Sequence, residues 1–280
     1  MADSIFDVRW IHGANCGANG DPPFQVHKLD EDTFVLRQSK CVTFEGNFIY
    51  LLFGTQKAIL LDTSAHPDRQ PAPPPPIRRT VQDVIARRQE TQSAGITELI
   101  VGHTHGHGDH AFGDSQFRGR ANTRLVEATL FDVKKELHLP DWPNGRATID
   151  LGGRELVILR LPGHEESHIA VYDPKAQLLL TGDALYPGKL TVEKWSDYRN
   201  SAARLATFVS AHPVSLVLGA HIEMKNAPRE LSPVPTFVQQ DEHALPLGVQ
   251  HVHEWHRACE AMSDSPKVDV HDDFVISPDE

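Results

Sequence analysis

The 280-residue chain is 40% hydrophobic and 23% charged, a composition that excludes collagen-like, largely disordered and multi-span membrane classes. Lys and Arg number 27 against 38 Asp and Glu; the formal charge of −11 repels nucleic acid and anionic membrane, and neither is an expected partner. No run of about 18 apolar residues could span a bilayer, and the opening MADSIFDVRW is acidic and lacks the apolar segment of a secretory signal, so a cytoplasmic protein is expected.

Short β-rich runs come first: TFVLRQ from Thr33, NFIYLLFG from Asn47 and KAILLDT from Lys57, separated by polar and Gly-containing breaks. The third is apolar at successive positions, as for a strand covered on both faces. Residues 66–76 end in PAPPPP, whose prolines lack backbone donors, so an extended connector is expected there. TVQDVIARRQE from Thr80 then sets Val81, Val84 and Ile85 at helical spacing, with Gly95 as a stop. The strand ITELIVGH over 96–103 runs directly into a loop of histidine and glycine. Beyond it the pattern predicts a strand at Thr123 (TRLV), a helix from Ala128, and strands in RELVILRL, HIAVYD and QLLLTGD. A helix over 195–210 and the strand SLVLGAH from Ser215 follow. Residues 243–262 are expected to hold a helix interrupted early by Pro246, and FVISPDE an edge strand or frayed end. Two successive β-rich halves, each finishing in helix, strand and histidine, suggest a duplicated layout within one layered α/β unit.

Cys16, Cys41 and Cys259 are too few and too scattered for a disulfide framework or a cysteine-ligated zinc site, and each is expected to be a reduced, packed thiol. Histidine is the unusual component, with 17 residues. His105-Gly-His107-Gly-Asp109-His110 sets four candidate metal ligands in six residues at the carboxyl end of a buried strand. Imidazole and carboxylate are ligands of divalent zinc. The interleaved Gly106 and Gly108 allow a tight backbone, so that His105 and His107 converge on one ion while Asp109 and His110 face another. His164 in LPGH, Asp183 in LLLTGD and His221 in LVLGAH each follow an apolar run and would complete two sites.

With these motifs the chain resembles the metallo-β-lactamase superfamily, whose signature is HxHxDH followed by separate His, Asp and His ligands. The resemblance runs from about Asn47 to His221. It implies a four-layer αββα sandwich, an α/β (α+β) fold, with metals at one edge between two sheets; residues 1–225 are read as that domain and 226–280 as a C-terminal extension packed on it. It also implies that His105, His107 and His164 hold one ion, that Asp109, His110 and His221 hold a second, and that Asp183 bridges them. Asp62 in LLDTS matches a supporting aspartate, with Ser64 where glycine is usual. The cofactors implied are two divalent ions, zinc first and iron or manganese as alternatives.

Two such ions favour hydrolysis of a small carbonyl substrate such as an ester, lactone or thioester, with a water of near-neutral pKa as nucleophile and Asp109 moving a proton to the leaving group. Asp183-Ala-Leu-Tyr186 resembles the D-x-x-Y segment of acyl-homoserine lactonases, which implies a Tyr186 that donates to the carbonyl oxygen. The alternatives are a mononuclear iron oxidoreductase of the persulfide-dioxygenase type, or hydrolysis of β-lactams or phosphodiesters. His103 and His168 are read as supporting or packing groups, His251, His253 and His256 as a solvated helix face, and Glu223, Glu242 and His243 as candidates to line the pocket.

Overall fold

The computed structural model describes residues 4–17, 19–68, 72–91 and 95–279. Six strands, β1 (Phe24–Asp30), β2 (Thr33–Gln38), β3 (Phe48–Phe53), β4 (Lys57–Leu61), β5 (Glu98–Gly102) and β6 (Thr123–Leu125), form one sheet in sequence order. They are antiparallel as far as β4 and parallel from β4 to β6. A second sheet is built from β7 (Arg146–Asp150), β8 (Glu155–Arg160), β9 (Ile169–Asp173) and β10 (Leu178–Gly182); β11 (Lys189–Val192) leaves it, and β12 (Leu216–Gly219) and β13 (Pro246–Leu247) extend it beside β10. Helices α1 (Ile77–Thr91), α2 (Gly108–Ala111), α3 (Leu130–Glu136), α4 (Trp195–Ala211) and α5 (Val249–Met262) complete the framework. Each half is thus a four-stranded meander, a crossover helix (α1 or α4) and a returning strand parallel to the fourth, the duplicated layout that the sequence suggests.

The two-residue period of a strand decides how these layers stack. Tyr50, Leu52, Ile59, Leu61 and Ile100 face the other sheet, where Ile158, Ile169, Val171, Leu178 and Leu180 meet them. The intervening Ile49, Leu51, Leu60 and Val101 face the opposite way, against Ile77, Val81 and Val84 of α1. Tyr172, Leu179 and Val217 likewise turn to Tyr198 and Leu205 of α4 and to Val252 and Trp255 of α5. The result is the αββα sandwich, and it explains why the central strands are apolar at every position.

The two sheets are pinned at both ends. At one, the buried Arg154 guanidinium donates to Asp173, to the Thr33 hydroxyl and to the carbonyls of Asp32 and Phe53. At the other, Phe48 N–H donates to Ala220 O (2.8 Å) and the Tyr50 hydroxyl to Gly219 O.

Residues after 226 join existing layers: β13 pairs with β12, and the Trp255 ring lies 5.0 Å from that of Tyr198. β15 (Val275–Pro278) pairs with β11 and with β14 (Asp269–Val270). The helix expected from His243 begins only at Val249, because Pro246 and Leu247 are taken up as a strand. The connector expected over 66–76 lies partly outside the described residues. Among the described residues, no helix is long and apolar enough to cross a membrane.

The thiol expectation is corrected. Cys16 and Cys41 form a disulfide with Cα atoms 5.4 Å apart, while Cys259 is free and buried as expected. The β1–β2 hairpin brings the two cysteines together, because they flank it and its open end is closed by Ser39 N–H donating to Pro23 O. The alternating strand β1 was not among the elements read from the sequence, so neither was this proximity.

Thiol titration should find one reactive group in denatured, unreduced protein and three after reduction; three without reductant would refute the disulfide. Leu180→Ala, which empties a fully enclosed position between the sheets, is expected to cost about 2–5 kcal/mol in chemical denaturation.

Candidate metal centre

Leu61 pairs with Gly102 and Gly182 with Gly219, so the residues after β4, β5, β10 and β12 leave the sandwich at one edge. Asp62, the 103–110 loop, Asp183 and His221 come from these exits, and His164 follows the end of β8 at the same edge. Gly182 has φ +50°, and a Cβ there would lie 2.7 Å from Thr104 and 2.9 Å from His168 Nε2, so only glycine lets Asp183 turn in this close. Gly106 also lies tight, with its Cβ position 3.0 Å from Ala128 O, whereas Gly108 has open space and starts the single turn of α2. The expectation of close packing therefore holds for the first glycine alone.

The predicted ligands gather into two groups, His105, His107 and His164, and Asp109, His110, Asp183 and His221. In the first, His105 Nε2 lies 3.0 Å from His107 Nδ1 and 3.2 Å from His164 Nε2, and the last two are 3.1 Å apart. Tetrahedral zinc with nitrogens at 2.0–2.1 Å would space them by roughly 3.4 Å. Three converging imidazole nitrogens cannot all satisfy one another with protons, and a shared cation fits them. Burial, reinforced by the neighbouring imidazoles, holds His105 well below the usual histidine range and His164 below it, which leaves both neutral with lone pairs available.

In the second group, His221 Nε2 is 3.4 Å from Asp109 Oδ2, 3.3 Å from Asp183 Oδ2 and 3.4 Å from His110 Nε2. Asp183 Oδ2 also reaches to 3.7 Å from His164 Nε2, so one carboxylate faces both groups, and its buried Oδ1 has no partner. Burial opposes ionisation throughout, yet the histidines beside them hold Asp109 and Asp183 well below the carboxylate range. Reciprocally, the carboxylates lift His110 and His221 well above the histidine range against burial. In the metal-free protein, protons on these two rings supply the positive charge that a bound ion would bring.

A surrounding set of acceptors orients the rings. His110 Nδ1 donates to Asp62 (2.9 Å), His164 Nδ1 to Thr191 O (2.8 Å) and His221 Nδ1 to Glu45 O (3.2 Å), leaving each Nε2 toward the centre. His107 is reversed: Nε2 faces Glu193 at 3.0 Å and Nδ1 turns inward. Asp62 also accepts from Thr104 N–H and its hydroxyl. Its φ of +73° is left-handed, a conformation that costs roughly 1–2 kcal/mol in an L-residue and is offset here by these bonds.

His168 accepts from Asp183 N–H (3.1 Å) and stacks on His105, the supporting place expected for it. His103 spans Val126 O and Asp114. The Tyr186 ring packs beside His221, with its hydroxyl already engaged by Lys189 O (2.7 Å) and Glu223 (3.1 Å). Glu242 instead pairs with Arg37, and His243 and His251 share Asp273. His251 is thus tied at the start of α5 and is not part of a solvated face. Glu45, Asn47, Thr191 and Glu193 were not singled out from the sequence. Asn47 Nδ2 donates to Asp109 (3.1 Å), and burial, opposed by His221 and aided by Asp109, pushes the Glu45 carboxyl up to about 7. Glu45 and Asn47, at the start of the apolar run of β3, carried a positional signal, whereas Thr191 and Glu193, on and beside the unread β11, carried none.

Comparison with known proteins agrees with this geometry. The model of the metallo-beta-lactamase superfamily matches residues 42–221. The chain is 29% identical over 168 residues to the acyl-coenzyme A thioesterase MBLAC2 of Gallus gallus, covering 49% of this chain and 61% of that protein. It is 24% identical over 214 residues to its Homo sapiens counterpart, covering 65% and 75%. A hydroxyacylglutathione hydrolase of Synechococcus sp. is 28% identical over 142 residues, covering 51% of this chain and 50% of that protein. The chain thus spans about half to three quarters of these relatives. Among solved structures, the DIM-1 metallo-beta-lactamase superposes with a TM-score of 0.53 at 13% identity, over 86% of this chain and 99% of that one, which bears on the fold.

Zinc added to metal-free protein should bind in two stages that differ in proton release. The raised pKa values of His110 and His221 mean that their protons are held at neutral pH and must leave when an ion enters, so affinity at that group falls as pH falls. His105 and His164 have no such protons to surrender. Titration calorimetry in buffers of different ionisation enthalpy should find the release mainly in one equivalent, with that ion lost first on acidification; equal release in both would refute the assignment.

Proposed function

The chain belongs to the metallo-β-lactamase superfamily, and from that premise we propose that it is a two-metal hydrolase of thioesters. The observation that carries the two-metal part is the completeness of both donor groups, joined by the single carboxylate of Asp183. The thioester part is supported by the relatives, which are named for cleavage of acyl-coenzyme A and of hydroxyacylglutathione. We assign His105, His107 and His164 to one ion, Asp109, His110 and His221 to the other, and Asp183 to both; the nitrogen and oxygen donors suit divalent zinc and also iron or manganese, and we take zinc as the occupant to be tested.

Bound divalent ions polarise a carbonyl oxygen and bring a water toward neutral pKa. The protein's own residues do the rest. Hydrolysis breaks the C–S bond, forms a C–O bond and delivers a proton to sulfur. Asp109 is the group placed to carry that proton, since Asn47 holds its Oδ2 in the cleft between His110 and His221. Asp62, Thr191, Glu45 and Glu193 keep the imidazoles in the required tautomers. For Tyr186 to donate to a substrate carbonyl, its hydroxyl must first leave Lys189 O and Glu223. We read residues 226–280 as an extension of the same unit, since α5 and β13 complete its layers. A cytoplasmic location, proposed from the sequence, is opposed by the Cys16–Cys41 bond, because cytosolic thiols are kept reduced.

A panel of thioesters, lactones, aryl esters, phosphodiesters and β-lactams is expected to show fastest turnover on thioesters. Elemental analysis should find about two zinc ions per chain, and Asp183→Asn should abolish turnover. One iron per chain with oxygen consumption would overturn the hydrolase reading, and an active Asp183→Asn would overturn the bridging role.

A further inference from the structure

We propose that the groove beside His107 receives the thiol half of the substrate and selects against polyanionic thiols, favouring thioesters whose leaving group is uncharged or cationic. This rests on the thioester reading above. The groove, of about 520 Å³, is lined by Gly163 and Glu193, which neighbour the metal centre, and by Trp142 and Pro143. Glu193 touches His107 (3.0 Å), and Gly163 precedes His164, so one wall of the groove adjoins the first ligand group.

Its polar lining is acidic. Glu165, Glu166 and Glu193 contribute carboxylates, and the one cation, Lys194, is matched by Asp197 at 2.8 Å. Two of these carboxylates are held in place. Glu193 is held by His107, and Glu165 accepts from Gly106 N–H, Ser167 N–H and the Ser167 hydroxyl. Apolar Trp142 and Pro143 offer packing to a neutral thiol, whereas the phosphates of coenzyme A would meet like charge in a cleft that focuses it.

The surroundings of the His221 ligand are of another kind. Glu45 O holds His221, and next to it Phe44 meets Phe237 with ring centroids 6.1 Å apart, near Val234 and Val238, which are exposed. Apolar surface there, at Phe44, Val234 and Phe237, lies beside Lys40, Glu45 and Glu223; with the acyl group on that side, the acidic groove is left to the thiol.

The test compares one acyl group carried on N-acetylcysteamine and on coenzyme A. The kcat/KM for the N-acetylcysteamine thioester is expected to be higher on the order of tenfold at low ionic strength, with a gap that narrows as salt is raised. Glu166 is exposed and outside the ligand groups, so Glu166→Lys should narrow the gap severalfold, mainly by raising kcat/KM for the coenzyme A thioester, while the thermal midpoint stays unchanged. Equal or faster turnover of the coenzyme A thioester, or a gap indifferent to both salt and Glu166→Lys, would overturn the proposal. If no thioester is cleaved, the thioester reading alone fails. Aryl esters with and without a sulfonate on the leaving phenol then test the groove: slower cleavage of the sulfonated ester, relieved by Glu166→Lys, supports it, and equal rates overturn it.

Discussion

Parallel strand pairing is the constraint on which the centre depends. Two strands that run side by side in the same direction must end at the same edge, and each half of this chain contains such a pair, β4 with β5 and β10 with β12. Stacking the halves face to face could still have set the two edges apart. Phe48 N–H on Ala220 O and the Tyr50 hydroxyl on Gly219 O tie them together, and donors from both sheets therefore share one cleft. The Arg154 cluster closes the far end of the sandwich, where no metal-binding chemistry is required.

Within that cleft the two donor groups are electrostatically unlike. One contains His105 and His164, kept neutral by burial, together with His107; the other contains two ionised carboxylates and two proton-bearing histidines. Carboxylates removed from water this completely are costly unless positive charge is close. His110 and His221 supply it in the metal-free protein, so the fold tolerates the second group before any ion is bound. The left-handed turn at Asp62 belongs to the same balance, since it aims a carboxylate at the far side of His110. Beyond the ligands the centre has acidic residues on the side of Glu193 and aromatic Phe44 and Phe237 on the side of Glu45.

Much of this was legible in the residues. The apolar runs at Asn47, Lys57, 96–103, Gln177 and Ser215 mark strands covered on both faces, and a polar residue that ends such a run has nowhere to go except the edge of the sheet. Strands with weaker contrast escaped. β1 and β7 are edge strands with one face half exposed, and β11 is short and isolated in sequence from its partner β15. Glu45, Glu193 and Thr191 escaped for another reason: a residue that supports a ligand needs a carboxylate or merely a backbone carbonyl in the right place, and neither has a spacing rule.

By itself, then, the sequence determined the class of the fold and the identity of the candidate ligands, because hydrophobic periodicity and the chemistry of imidazole and carboxylate are local properties. The tertiary structure alone decided the rest. Which nitrogen of each histidine turns inward depends on acceptors as distant in sequence as Glu193 from His107 and Glu45 from His221. The Cys16–Cys41 bond depends on the β1–β2 hairpin, and the charge of the groove on side chains brought together from separate loops. Hydrogen bonds, disulfides and surface potential follow distances in space, and those distances exist only once the two sheets have closed on each other.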